Sequence, residues 1–440
     1  MTTMSAAGLR RRQARIAEGE AQLAGERAFT LGIPSQGLIV LALLRCLQAA
    51  GGTASPAQIY DQVAQEIGVD AEARAATVTW AGEARNVFER QVRHAYQFTK
   101  GKGLTVTPAR GEWSLTGKGA DAVDAARPGV VHIIFETDLG RALWGNAEDA
   151  IKDIEPGSIA TIYTSPMYPV LTRKAYGGLD TASWLPWMLD HVELWKPLLV
   201  PGGSLFLNLG AEIYRRGGPW QSTYLERLVI AMEDRVGYRL AQRWHWLNNQ
   251  RLGSIEWVSK QRRRLRQTIE PVYWFVSVKD GVEDRADNRA VLQPYQPSTL
   301  ARYIGQSKPN EARRKPSGLD IGAEAFARDN GGAIPSTVIT ASNGASNDAY
   351  RRYCREHGLP MHPASSPAEL PKRAILMTTR PGDAVLDPMG GSARTGAVAE
   401  QLGRRWVVVE RLRHYLLGGG GRFPAPRFHL AAYGFPGETV

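Results

Sequence analysis

The sequence predicts an α/β protein: an open sheet with helices on both faces, preceded by a small separate module. Three observations carry this prediction. From about residue 130 onward, short apolar runs alternate with longer helical patterns. Within that stretch, GDAVLDPMGGSARTGAVAEQLGRRWVVVE (Gly382 to Glu410) reads as strand, Gly-rich turn, helix and strand, a βαβ unit. Before about Pro128, by contrast, helical patterns dominate and end in a hairpin signature.

Taken in order, residues 1–30 are rich in Ala, Arg and Glu and predict a helix. PSQGLIVLALLRCLQAAGG predicts an apolar helix stopped by Gly51 and Gly52. A second helix starts at Ser55-Pro56, with proline in the first turn. A third is expected over Ala81 to Thr99. GLTVTPARGEWSLT then alternates around Ala109-Arg110-Gly111 as a β-hairpin. Three helices and a hairpin follow the order of a winged helix-turn-helix. The stretch resembles the N-terminal winged-helix domain of some restriction-associated proteins. That resemblance implies a helix in the DNA major groove, with Arg85, Arg90, Arg93, Lys100, Lys102 and Arg110 near phosphates. A winged helix used only for dimerisation or packing is the alternative.

The bulk composition narrows the class. The net charge is +11, which favours a polyanion partner, most often nucleic acid. Cys46 and Cys354 are the only cysteines, so no disulfide framework beyond one bridge is possible and a reducing cytoplasm, bacterial or archaeal, is the expected location. The eight histidines form no HxH or HxxxH cluster, and no dedicated metal site is expected. No apolar run is long enough for a membrane span, and the N-terminal arginines lead into no secretory h-region.

In the second part, VVHIIF, IATIY, SLFLNLG, PVYWFVSV, AVLD and WVVVE are the candidate strands, with WLPWMLDHVELWKPLL a helix between two of them. From Lys279 to about Met361 the pattern breaks into a polar stretch rich in Pro, Ser, Asn and Arg, a flexible insertion or a substrate-reading region.

In the βαβ unit, Gly390 and Gly391 let the backbone approach a ligand at the end of the first strand. Glu410, 23 residues beyond Asp387, ends the next strand, where a carboxylate can accept from ribose hydroxyls. Alone, such a turn is either a nucleotide site or a structural turn. A phosphate-binding loop is excluded because no Gly-Lys-Ser/Thr follows.

LDPMGGSARTG…LGRRWVVVE resembles the S-adenosylmethionine loop of amino-methylating DNA methyltransferases, which typically reads Asp-Pro-Phe-Ala-Gly-Ser-x-Thr-Thr. Asp387, Pro388, Gly391, Ser392 and Thr395 match, while Met389, Gly390 and Arg394 depart from it. The resemblance implies a Rossmann-like methyltransferase sheet and S-adenosylmethionine as cofactor, with Met389 packing on the adenine. Upstream, HPASSP resembles the family's His-Pro-Ala-x-Phe-Pro motif, with His362, Pro363, Ala364 and Pro367 matched and Ser366 in place of Phe. That motif implies closure over the methionine end of the cofactor.

TSPMYP (Thr164 to Pro169) follows a strand-like run. By itself it reads as an ordinary proline turn. In the same family a Ser/Asp/Asn-Pro-Pro-Tyr/Phe/Trp motif holds the target base. Ser165, Pro166 and Tyr168 fit it, with Met167 replacing the second proline. An exocyclic amine is a weak nucleophile, so two acceptors must aim its lone pair at the methyl group. The resemblance assigns these roles to the Ser165 hydroxyl and the Pro166 carbonyl, with Tyr168 stacking on a flipped base. VPGGSLFLNLG, VGYRLAQRWHWLNNQ and IEPVYWFVSVK resemble the strands that follow in the family, or serve only as sheet core.

The catalytic motif precedes the cofactor motif, which is the permuted, β-type order, and the resemblance spans about residues 130–417. It divides the chain into residues 1–128 (winged helix), 129–280 (catalytic half), 281–358 (target recognition) and 359–440 (cofactor half). Serine at the head of the catalytic motif implies N4 of cytosine, with adenine N6 as the alternative. Methylation at cytosine carbon-5 needs a cysteine nucleophile after a proline, and neither cysteine has that context. Lys260, Arg262, Arg263, Arg264 and Arg266 form the densest basic run, for phosphates or a guanine, or a solvated face. Arg313, Arg314 and Lys315 form a second patch. Trp244, Trp246 and Trp257 fill space in the duplex or pack the core. The implied partner is double-stranded DNA, with no membrane; a homodimer and a cognate restriction endonuclease are further partners to test. A non-catalytic DNA-binding protein on the same fold is the competing reading, and no nuclease motif is visible.

Overall fold

The computed structural model describes residues 36–80, 83–126, 128–169, 179–215, 217–278, 282–302, 304, 328–342 and 348–429. The chain forms two units, Met1–Ala125 and Ala126–Val440. The predicted helix in residues 1–30 and the patch at Arg313, Arg314 and Lys315 lie outside the described residues.

In the first unit, helix Gln36–Ala49 is followed by strand β1 (Thr53–Ala54) and helix Pro56–Glu66. Ser55 and Gln58 cap that helix reciprocally, so the proline costs it no hydrogen bond. The third long helix is Val87–Gly101, six residues later than the sequence predicts. Asn86 sets the start, because its side chain accepts from the Glu89 N–H at 2.9 Å. The residues before it form the antiparallel pair β2 (Thr77–Trp80) and β3 (Glu83–Asn86). The expected hairpin is present: β4 (Thr105–Val106) and β5 (Trp113–Leu115) pair antiparallel, and β1 joins the other side of β5. Ile39, Leu43, Ile59, Val63, Phe88 and Val92 bury the interior, with Tyr96 stacked on Trp113 at 4.1 Å.

The second unit is built on one ten-stranded mixed sheet. Its strands in chain order are β6 (His132–Glu136), β7 (Gly140–Trp144), β8 (Ile159–Thr164), β9 (Leu199–Asn208), β10 (Arg239–Leu247), β11 (Ile269–Ser277), β12 (Val338–Thr340), β13 (Ala384–Asp387), β14 (Arg405–Glu410) and β15 (Arg427–Phe428). The spatial order is β12-β10-β11-β9-β8-β13-β14-β7-β6-β15. The central strands β9, β8, β13, β14 and β7 run parallel. β8 is buried along its whole length, which explains its unbroken IATIYT run. Helices Thr181–Trp195 and Tyr224–Ala231 pack in a core with Ile162, Leu205 and Phe275, whereas Ala397 and Val398 pack with Phe135, Trp406 and Val408.

Two stretches left open by the sequence take definite form. The stretch from Lys279 to Met361 contains edge strand β12, parallel to β10, and helix Ala349–Glu356. That helix packs against helix Arg413–Gly420. Trp244 and Trp246 are buried in the sheet core beside Phe206 and Val272. Among the described residues no helix is long and apolar enough to cross a membrane, and no cluster of three His, Cys, Asp or Glu could hold a metal.

Candidate active site

β8 and β13 are hydrogen-bonded neighbours, with Ile162 opposite Leu386. Their carboxyl ends therefore deliver TSPMYP and DPMGG side by side, although Ser165 and Asp387 are 222 residues apart in the chain. In an open α/β sheet this end of the strands is where ligands bind. A cavity of about 500 Å³ lies there, lined among others by Ser165, Pro166, Tyr168, Asp387, Met389 and Glu410.

The loop after β8 is held by side chains from distant segments. The Ser165 hydroxyl lies 3.2 Å from the Asn208 carbonyl, 3.4 Å from Asn208 Oδ1 and 3.3 Å from the Tyr168 oxygen. Tyr168 donates to Glu270 Oε2 at 3.2 Å, because a carboxylate only accepts. The Ser165 proton thus has acceptors within the protein, and its lone pairs remain for an incoming N–H. Glu270 is bonded in turn to Arg251, which sits 4.0 Å from Glu212. Burial pushes the Glu270 carboxyl up against the pull of Arg251, and burial and Glu270 together push the Tyr168 phenol up. Trp184 donates to the Met167 carbonyl at 2.6 Å, so the loop is tied down where the second proline is missing. Gly210 faces the Tyr168 ring; a Cβ there would stand 2.5 Å from it.

The loop after β13 is held locally. Asp387 accepts from the Thr395 hydroxyl at 2.6 Å and from the Met389 N–H at 3.2 Å. Burial pushes its carboxyl up to about 6, opposed by these donors. Glu410 accepts from the Gly391 and Leu412 N–H groups at 2.9 and 2.8 Å, one on each oxygen. Burial raises this carboxyl as well. Gly391 and Ala393 take positive φ angles of 53° and 55°, and only the first is free of side-chain strain.

His362 stands against the same loop: a Cβ on Gly391 would lie 3.0 Å from its Nε2. The Ala364 N–H donates to Nδ1 at 3.2 Å, which leaves the proton on Nε2. Burial lowers this imidazole to about 4 and keeps it neutral. Ala364 and Ser366 line the cavity, whereas Pro363 is exposed and does not.

Arg394, one of the three residues that depart from the family loop, lines the cavity while its guanidinium is tied to a carboxylate. It pairs with Asp348 at 2.6 Å, and Arg422 grips the same carboxylate at 3.0 and 3.1 Å. Arg422 also donates to the Ser392 carbonyl at 2.8 Å and to its hydroxyl at 3.1 Å. Ser392 is therefore held from behind, and Asp348 braces the loop. Sequence reasoning missed Asn208, Glu270, Arg251, Asp348 and Arg422; no local spacing connects them to the motifs they support.

The donor set fits S-adenosylmethionine. Asp387 and Glu410 keep lone pairs for hydroxyl and ammonium donors, Met389 offers an apolar contact, and the glycines leave the backbone open. The buried Tyr163 hydroxyl, without a partner among the described residues, lines the same cavity.

The basic run lies in the connection between β10 and β11, whose first residues include the cavity-lining Arg251. Lys260, Arg262, Arg263 and Arg266 are exposed, and Lys260 lies 3.7 Å from Glu256. Arg264 is exposed as well, with Nε on the Pro219 carbonyl at 3.1 Å and its guanidinium over the exposed Trp220 ring. Trp257 is half-buried and packs on Tyr214.

Residues 159–417 match the DNA methylase family, and residues 38–125 match the Mrr N-terminal domain. The chain is 34% identical over 290 residues to the type II methyltransferase M.PvuII of Proteus hauseri, covering 66% of this chain and 85% of that protein. It is 26% identical over 285 residues to the type II methyltransferase M.BamHI of Bacillus amyloliquefaciens, covering 63% and 55%. The solved structure of PvuII DNA methyltransferase, described as cytosine-N4-specific, superposes with a TM-score of 0.52 at 29% identity, over 66% of this chain and 88% of that one. With two neighbouring strand ends carrying the two motifs, the chain belongs to the N6/N4 DNA methylase family, whose members are S-adenosylmethionine-dependent DNA methyltransferases.

Proposed function

We propose that this protein transfers a methyl group from S-adenosylmethionine to the exocyclic N4 amine of cytosine in duplex DNA. The observation that carries this reading is the adjacency of β8 and β13, which opens the Ser165 and Asp387 loops into one cavity. Bound S-adenosylmethionine supplies an electrophilic methyl group on a sulfonium. Asp387, Glu410, Met389 and the Gly391 backbone hold it, with His362, Pro363, Ala364, Pro388, Ser392 and Thr395 shaping or bracing the site. Ser165 Oγ and the Pro166 carbonyl each accept one amine N–H, which turns the nitrogen lone pair toward the methyl group. Tyr168, fixed through Glu270, offers its ring to the extruded base.

Cytosine N4 is favoured over adenine N6 by the serine at the head of the motif and by the M.PvuII likeness. The type II relatives support a restriction-modification setting with a cognate endonuclease. The Mrr N-terminal match supports the first unit as a winged-helix DNA-binding module. In the second, the exposed Lys260, Arg262, Arg263, Arg264 and Arg266 offer phosphate contacts. Incubation with isotopically labelled S-adenosylmethionine and mixed-sequence duplex, followed by digestion to nucleosides and mass spectrometry, tests the reading. Labelled N4-methylcytosine is expected. Labelled N6-methyladenine would replace the base assignment, and no labelled nucleoside would refute methyl transfer.

A further inference from the structure

Pulling a base out of a duplex leaves an apolar gap in the stack, and proteins that distort DNA often fill such gaps with apolar wedges. Trp244 and Trp246 are committed to the sheet core, and Trp257 is half-buried against Tyr214. Leu265 is 92% exposed, the most exposed large apolar side chain among the described residues. It stands within the basic run, between Arg264 and Arg266.

The surroundings make this a built tip rather than a stray side chain. The backbone N–H groups of Arg263 and Arg264 both donate to the Trp257 carbonyl, at 2.8 and 3.1 Å. The Arg264 side chain bonds the Pro219 carbonyl at 3.1 Å. Arg262 is held at φ 52°, a left-handed conformation that a non-glycine residue adopts at a cost. An added Cβ at Gly253 would lie 3.4 Å from Arg266 Cγ, so the two arms of the connection run side by side. Leu252 and Ile255 in the same connection are exposed too, as is Trp220 beneath Arg264, so apolar side chains are set among cations. That combination fits a duplex, with phosphates against the arginines and stacked bases against the apolar side chains. The location fits as well. Five residues separate Leu265 from Glu270, a reach of at most about 17 Å, and Glu270 is the acceptor for Tyr168.

We infer that Leu265 is the wedge that enters the double helix at the position vacated by the extruded target base. This rests on the DNA methyltransferase reading. Leu265 touches neither cofactor nor the reacting amine; it acts by stabilising the opened duplex.

The test compares the full-length chain with Leu265→Ala and Leu265→Met on two duplexes carrying the site that the wild type methylates. In one the target cytosine is paired; in the other an abasic site lies opposite it, so extrusion is already cheap. Leu265→Ala is expected to lose about 10- to 100-fold in kcat/KM on the paired duplex and to recover to within about 3-fold on the abasic one. Leu265→Met should stay near wild type, and cofactor affinity should be unchanged in both. Equal loss on both duplexes, or no loss on either, would overturn the wedge. Extrusion is also read without methyl transfer, by 2-aminopurine fluorescence at the target position. A rise with wild type and not with Leu265→Ala supports the wedge; the same signal from both proteins refutes it. If the wild type labels no nucleoside in mixed-sequence duplex, the methyltransferase reading falls, and the wedge is judged by the 2-aminopurine signal alone.

Discussion

The loops after β8 and β13 leave adjacent parallel strands at the same end of the sheet, yet they are held by different means. The β13 loop is fixed chiefly by near neighbours: Thr395 and the Met389 N–H on Asp387, and Glu410 on the Gly391 N–H. The β8 loop is fixed by residues far along the chain, Trp184 on Met167, Asn208 at Ser165 and Glu270 on Tyr168. One loop is held mainly within its own βαβ unit, with Asp348 and Arg422 as an outer brace; the other takes its shape from the surrounding domain. Damage to the first should therefore show in cofactor affinity, and damage to the second in the rate of transfer.

The largest effect is expected at Asp387. Asp387→Asn should weaken S-adenosylmethionine binding by about 100-fold, the ~3 kcal/mol of lost charge-assisted hydrogen bonds, in titration calorimetry. Affinity of the wild type should fall as pH drops through about 6, where this carboxylate takes up a proton, and the variant should lose that dependence. The stability effect has the opposite sign. A carboxyl raised from 3.8 to about 6 favours the ligand-free fold when neutral, and that contribution is lost as pH rises through about 6. Asp387→Asn should accordingly raise Tm at pH 8.

Gly210→Ala breaks the comparison from the other side. The new methyl would meet the Tyr168 ring at 2.5 Å, and such overpacking costs roughly 1–3 kcal/mol. We expect kcat to fall about 10-fold or more by this amount of displacement, with cofactor affinity intact. Trp184→Phe should be milder. Losing the bond to the Met167 carbonyl, worth about 1 kcal/mol, should lower kcat about 5-fold and again spare the cofactor. Arg394→Ala should be the smallest. Arg422 still holds Asp348, so cofactor affinity should drop only about 3-fold.

The same difference explains what could be read from the sequence. Asp387, the glycines and Glu410 sit on one βαβ unit, so their spacing alone announces a ligand turn. Ser165 and Tyr168 are visible in TSPMYP, but their partners Asn208 and Glu270 lie 43 and 102 residues away, where no periodicity points. Arg394 reads as a defect in the cofactor loop until Asp348 is seen behind it. β7 escapes notice because GRALW is short and begins with glycine and arginine; the β14 strand beside it supplies its order. The helix at Val87 was displaced from its predicted start because a capping asparagine and a strand pair outweighed the helical pattern of AGEAR.

The central claim is that the β8 loop positions the amine while the β13 loop holds the methyl donor. Single-turnover methyl transfer by Ser165→Ala, at saturating S-adenosylmethionine and DNA, tests it most directly. The account predicts a rate roughly 100-fold below wild type with unchanged cofactor affinity. An undiminished rate, or a loss confined to cofactor binding, would contradict it.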